Sequence, residues 1–90
     1  MPSYLVETYL SRGNAPSLAA WDVRARSAAE ELTRTGTRVR FDRSIHVPED
    51  EICFFVFVAP TLGDAALAAE RGDLDAVRVV EAVLAGEEFA

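Results

Sequence analysis

The chain holds one histidine, His46, and one cysteine, Cys53. Imidazole and thiolate together suit a soft or borderline metal such as nickel, zinc or copper. Two ligands do not close a site, so Glu7 and Glu81, from the same chain or a second copy, are the candidates to complete it. A second chemistry needs no metal. Glu7 lies in a β-rich run, where a carboxylate is buried unless it faces a cavity or a paired arginine, and burial moves a carboxylate toward general-base work. With Glu7 or His46 as base and Arg43 as an anion clamp, Trp21, Phe41 and Tyr4 would wall a small-molecule pocket. That arrangement fits a cofactor-independent isomerase or cyclase acting on a small apolar or aromatic substrate. Plainer roles compete with both. A lone cysteine on a central strand is more often a small buried hydrophobe, a lone histidine near a hairpin tip is usually just exposed, and Arg43 or Arg78 could simply pair with Glu7. The sequence has no Cys-x-x-Cys, no His-x-x-x-His, no glycine-rich phosphate loop and no cofactor fingerprint.

The elements that must position these residues centre on a hairpin. Pro48-Glu49-Asp50-Glu51 carries turn chemistry. The run Ile52–Ala59 that follows is dense in β-branched and aromatic residues and reads as a central strand. A four-residue loop sets the register: Val47 opposite Ile52, His46 opposite Cys53, Ser44 opposite Phe55, Arg43 opposite Val56 and Phe41 opposite Val58. Histidine and cysteine thus become cross-strand neighbours. Ahead of the hairpin, Ser3–Leu10 reads as a strand with Leu5, Glu7 and Tyr9 on one face and Tyr4, Val6 and Thr8 on the other. Arg12–Pro16 reads as a loop and Ser17 as an N-cap. Apolar residues at 18, 21, 25, 28, 29 and 32 give a helix over 18–35, with Asp22 on its solvated face and Gly36 at its end. Thr61-x-x-Asp64 opens a second helix, 62–71, and Gly72 closes it. The valine-rich stretch 76–84 favours a strand, and 85–90 reads as a loose tail.

Strand, helix, strand, strand, helix, strand is the ferredoxin-like βαββαβ order, an α+β sandwich with two helices on one face of a four-stranded, antiparallel-type sheet. The first and third strands fall in the middle. The helix-facing parity is expected to be Val39, Phe41, Ile45 and Val47 with Ile52, Phe54, Val56 and Val58. The bare parity is then Arg40, Asp42, Ser44 and His46 with Cys53, Phe55, Phe57 and Ala59. A face with two phenylalanines on its central strand is not built for water. A homodimer of the dimeric α+β barrel type, packed sheet against sheet, is expected to cover it; the alternative is a tail that folds back with Phe89. Arg43 falls on the apolar parity. It needs a bulge that throws it outward, or a carboxylate or anionic ligand beside it.

Composition bounds the function. Ninety residues suit one domain, 1–90, with a modest core, and half of them are hydrophobic. The nine basic residues, all arginine, face fifteen acidic ones for a net charge of −6. No basic cluster in sequence suggests nucleic acid or an anionic membrane as partner. No apolar run approaches a membrane span, and the N-terminus lacks a basic-then-apolar opening. A single cysteine fits a reducing, cytoplasmic setting.

Beyond these readings, the sequence resembles a family of small, mostly actinobacterial, ferredoxin-like proteins of largely unassigned function. The resemblance rests on the order and spacing of Tyr4-Leu5-Val6-Glu7, Val39-Arg40-Phe41, Arg43-Ser44-Ile45, Val47-Pro48-Glu49-Asp50-Glu51, Cys53-Phe54, Ala59-Pro60 and Val79-Val80-Glu81. It implies a homodimer and, in some members, bound nickel. Where nickel-binding members often carry His-Ser, this chain has Arg43-Ser44, and its histidine comes three residues after Arg43. A small-ligand-binding homodimer, with nickel or zinc as the candidate metals, is the expectation that follows.

Overall fold

A computed structural model describes residues 1–83, without the side chains of 14–16. Strand β1 (Ser3–Tyr9) leads through a 3-10 turn (Arg12–Ser17) into helix α1 (Leu18–Arg34). Strands β2 (Arg40–Val47) and β3 (Ile52–Val58) form the hairpin, followed by α2 (Leu62–Arg71) and β4 (Ala76–Ala82). All pairings are antiparallel and the order across the sheet is β2-β3-β1-β4, as the element order requires. The tail expected over 85–90, Phe89 included, lies outside the described residues.

Local chemistry explains the boundaries. Ser17 makes no capping hydrogen bond and ends the 3-10 turn instead. Thr61 does cap α2, its Oγ1 accepting from Asp64 N at 3.1 Å, which satisfies one of the helix's free donors. Gly36, at φ +108°, turns the chain out of α1. Thr33 then ties that helix end to β2, donating from Oγ1 to Val39 O at 2.8 Å. The Arg24 side chain of α1 reaches the far end of α2, donating to Gly72 O at 2.9 Å and Asp73 O at 2.8 Å. Two of that helix terminus's exposed carbonyls gain a cationic donor.

The two helices lie on one face of the sheet; Val39 and Phe41 face them as expected, but for β3 and for β2 beyond Asp42 the covered face is the opposite of the one expected. Cys53, Phe55, Phe57 and Ala59 are fully buried in the cluster formed with α1 and α2, and Trp21 of α1 stacks on Phe55 with centroids 6.0 Å apart. Ile52, Phe54, Val56 and Val58 face the uncovered side. Both parities of β3 are apolar, so counting hydrophobic residues does not separate them. Volume does. The buried faces of the helices are almost all alanine: Ala25, Ala28 and Ala29 on α1, and Ala65, Ala68 and Ala69 on α2. Small helix faces leave space that Phe41, Phe55 and Phe57 fill, at the packing density a core requires. For β1 the expected parity holds, with Tyr4, Val6 and Thr8 toward the helices.

A β-bulge resolves Arg43. The β2–β3 register shifts between Phe41 and Arg43, so that Phe41 pairs with Phe57, not Val58, while Arg43 still pairs with Val56. The extra residue, Asp42, flips the alternation. Phe41 therefore enters the core, and Arg43 stands on the open face, exposed, with its Nε 3.4 Å from Asp42 Oδ2.

Candidate functional site

His46 and Cys53 are directly opposite on the β2–β3 ladder, the pairing read from the hairpin. Both lie on the helix-covered side, at the sheet end nearest the hairpin turn. Cys53 is fully buried. Burial pushes its thiol up from 9.0 to about 11, and the nearby Asp22 carboxylate pushes in the same direction. The thiol is therefore protonated and inert near neutrality, unsuited to nucleophilic work.

Two buried polar atoms among the described residues have no hydrogen-bond partner: Nε2 of His46 and Oδ1 of Asp22. Leaving such an atom unpartnered costs about 1–3 kcal/mol, and natural folds seldom retain one without a role. Cys53 is the common neighbour, paired with His46 across the ladder and close to Asp22. Asp22 was assigned above to the solvated face of α1. The signal that could have placed it is its position: four residues after Leu18 and three before Ala25, it falls within the stripe that packs on the sheet.

The other expected site residues separate from this pair. Glu7 is on the open face, where it accepts a hydrogen bond from Arg78 Nη2 at 3.0 Å, so it cannot join His46 and Cys53 through the sheet. Glu81 is on β4, opposite Tyr4. Tyr4 and Cys53, which pairs with Thr8, are four residues apart along the sheet, roughly 13 Å. Within one chain, the four-residue ligand set His46, Cys53, Glu7 and Glu81 is therefore not assembled. Among the described residues, no group of three His, Cys, Asp or Glu side chains is gathered as a ready ligand set. Glu7 and Arg43 share the open face, but Tyr4, Phe41 and Trp21, the expected pocket walls, pack on the other side. The space between sheet and helices where that pocket was expected is core.

The open face itself is apolar and concave. Leu5, Ile45 and Val56 line a depression of about 300 Å³ with Asp42, Arg43 and Ala82. Ile45 is 45% exposed although aliphatic, and neither helix covers this side. Among the described residues, no helix is long and apolar enough to cross a membrane.

Architecture places the chain in the ferredoxin-like α+β class. Among solved structures it is similar to SCO4226 from Streptomyces coelicolor A3(2), with a TM-score of 0.73 over 91% of this chain and 96% of that one, at 12% sequence identity. That likeness is one of fold. No family model matches the sequence, and no curated protein matches it.

Proposed function

We propose that the protein is a homodimer that binds a borderline divalent metal, nickel or zinc, through His46 Nε2 and the Cys53 thiolate, with Asp22 as an additional oxygen ligand. The observation that carries this reading is the buried, unpartnered His46 Nε2 beside Cys53. A buried nitrogen, a sulfur and a carboxylate oxygen form a donor set that such metals accept. The pair alone is incomplete, so the Asp22 carboxylate must turn onto the metal or a further ligand must come from solvent. Subunit pairing has its own support in the apolar open face, whose burial would remove Leu5, Ile45, Phe54 and Val80 from water.

The raised thiol sets how tightly a metal binds. Ionising Cys53 at neutral pH costs about 5 kcal/mol, and the metal must supply this by displacing the proton. Affinity therefore rises about tenfold per pH unit between neutrality and pH 9, as one proton is released per metal. The alternative, a cofactor-free isomerase or cyclase, has less support. Of its two candidate bases, Glu7 is held by Arg78 and His46 lies on the covered side, away from the Arg43 clamp, while its apolar walls lie across the sheet from Glu7 and Arg43.

Native mass spectrometry of protein dialysed against nickel or zinc tests the proposal. The expected species is two chains with one metal each, and the metal is lost in His46→Ala and in Cys53→Ser. Metal stoichiometry unchanged in both variants would end the metal reading. A single-chain species would end the dimer.

A further inference from the structure

The nine arginines divide sharply by partner. Arg24 and Arg12 donate to backbone carbonyls, and Arg71 and Arg78 bond Glu31 and Glu7. Arg43 lies 3.4 Å from Asp42, and Arg40 reaches the same carboxylate only at 4.0 Å. Arg26, Arg34 and Arg38 make no hydrogen bond or ion pair among the described residues. These three, with the weakly held Arg40, lie together where α1 passes the start of β2. Arg26, Arg34 and Arg40 line one groove there, of about 510 Å³, and Arg38 lines an adjoining depression that shares Thr33, Val39 and Arg40 with it.

The floor of the groove is apolar, made by Ala29, Val39 and Phe41. The Arg26 guanidinium lies over the Phe41 ring, 5.3 Å from its centroid, a stacking geometry that leaves guanidinium edges open to an anion. Among the described residues, Glu30 is the only acidic one in the lining. A chain with net charge −6 thus concentrates unpaired positive charge over apolar surface at one place. These guanidiniums outnumber the carboxylates beside them, Glu30 in the lining and Asp42 at 4.0 Å from Arg40, so they repel one another, and a bound anion relieves that repulsion.

We propose that this groove binds a small aromatic carboxylate. Its volume is in the range of small-molecule sites. The carboxylate meets the arginines through paired N–H donors, and the flat ring lies on Val39 and Ala29 beside the Phe41 ring that Arg26 covers. Glu30 disfavours a polyanion, so a monoanion with a large apolar body fits better than a phosphate. The site is separate from the His46–Cys53 pair and does not depend on metal or on subunit pairing.

The test is an NMR titration of isotopically labelled protein with 2-naphthoate, repeated with uncharged 2-naphthalenemethanol and with inorganic phosphate. Saturable shifts at Ala29, Val39 and Phe41 are expected with naphthoate, and binding about tenfold weaker or worse for the other two probes. Arg34→Ala and Arg40→Ala, both at exposed positions, are each expected to weaken naphthoate several-fold. Arg34→Lys, which keeps the charge, should retain part of the binding. The absence of saturation with naphthoate overturns the proposal, as do shifts centred elsewhere. Equal binding of the uncharged analogue removes the role of the arginines, and equal binding of phosphate removes the role of the floor; either result also overturns it.

Discussion

His46 faces Cys53 across the β2–β3 ladder on the covered side of the sheet, and its buried Nε2 has no hydrogen-bond partner among the described residues. The thiol beside it is stable as a neutral group. The pair therefore joins a ready donor atom to one that must first lose a proton, and its chemistry depends on pH.

Stability should register that thiol. The folded-state pKa of Cys53, about 11, lies above its ordinary 9.0, so folding favours the protonated form. Its stabilising contribution is complete below pH 9 and is lost as pH rises from 9 toward 11. Relative to Cys53→Ala, the wild type is expected to lose about 1.4 kcal/mol by about pH 10. Urea unfolding of both proteins at neutral and alkaline pH measures this; a constant difference between them would mean the thiol is not perturbed.

Thr8 tests a buried hydrogen bond. Its Oγ1 donates to Leu74 O at 3.1 Å, with both residues fully buried, and it ties β1 to the loop that precedes β4. Thr8→Val keeps the shape and removes the donor, which should destabilise by about 1–3 kcal/mol. Thr8→Ser keeps the donor and should lose only about 1 kcal/mol, the worth of a buried methyl. A Thr8→Val variant as stable as the wild type in denaturant unfolding would show that the bond contributes nothing.

The Glu7–Arg78 pair should matter much less. Arg78 is 63% exposed at its side chain, so a double-mutant cycle with Glu7→Gln and Arg78→Gln is expected to give a coupling of about 0–1 kcal/mol, falling further in high salt. A coupling well above that range would imply that a second subunit covers the pair and strengthens it.

Phe54 probes the open face. Phe54→Asp puts a charge at the centre of the proposed interface without touching the helix-side core. Light scattering is expected to show two chains for the wild type and one for the variant, with unchanged far-ultraviolet circular dichroism. Two chains in both would place any interface elsewhere.

Much of the architecture was legible because distinct signals agreed. The periodicity of 18–32, the capping pair Thr61 and Asp64, and the hairpin turn at 48–51 each act locally, and each is found where its chemistry puts it. The choice of covered face was not legible. It depends on the volume of alanine-faced helices against the rings of β3, a relation between segments distant in sequence. The bulge was legible only as one of two readings for Arg43, and its position was not: alternation in β2 breaks at Asp42, and only the burial of Phe41 reveals where. Of the candidate site, the His46–Cys53 pairing followed from turn length alone. Asp22 went unnoticed because an acidic residue at a helix position reads as solvated unless its neighbours on the stripe are weighed first.

The single extra residue at Asp42 also makes β2 tolerant of shortening at that one point. Deleting it would join Phe41 to Arg43 in an unbroken ladder, with Phe41 still opposite Phe57, Arg43 still opposite Val56 and His46 still opposite Cys53. Ironing the strand flat with Asp42 kept would instead turn one half over: either the Phe41 ring would be evicted from beside Phe57, or Ser44 and His46 would swing out to the far side and leave Cys53 without its companion. An irregularity in an edge strand thus reconciles the plugging of the interior with the placement of the imidazole.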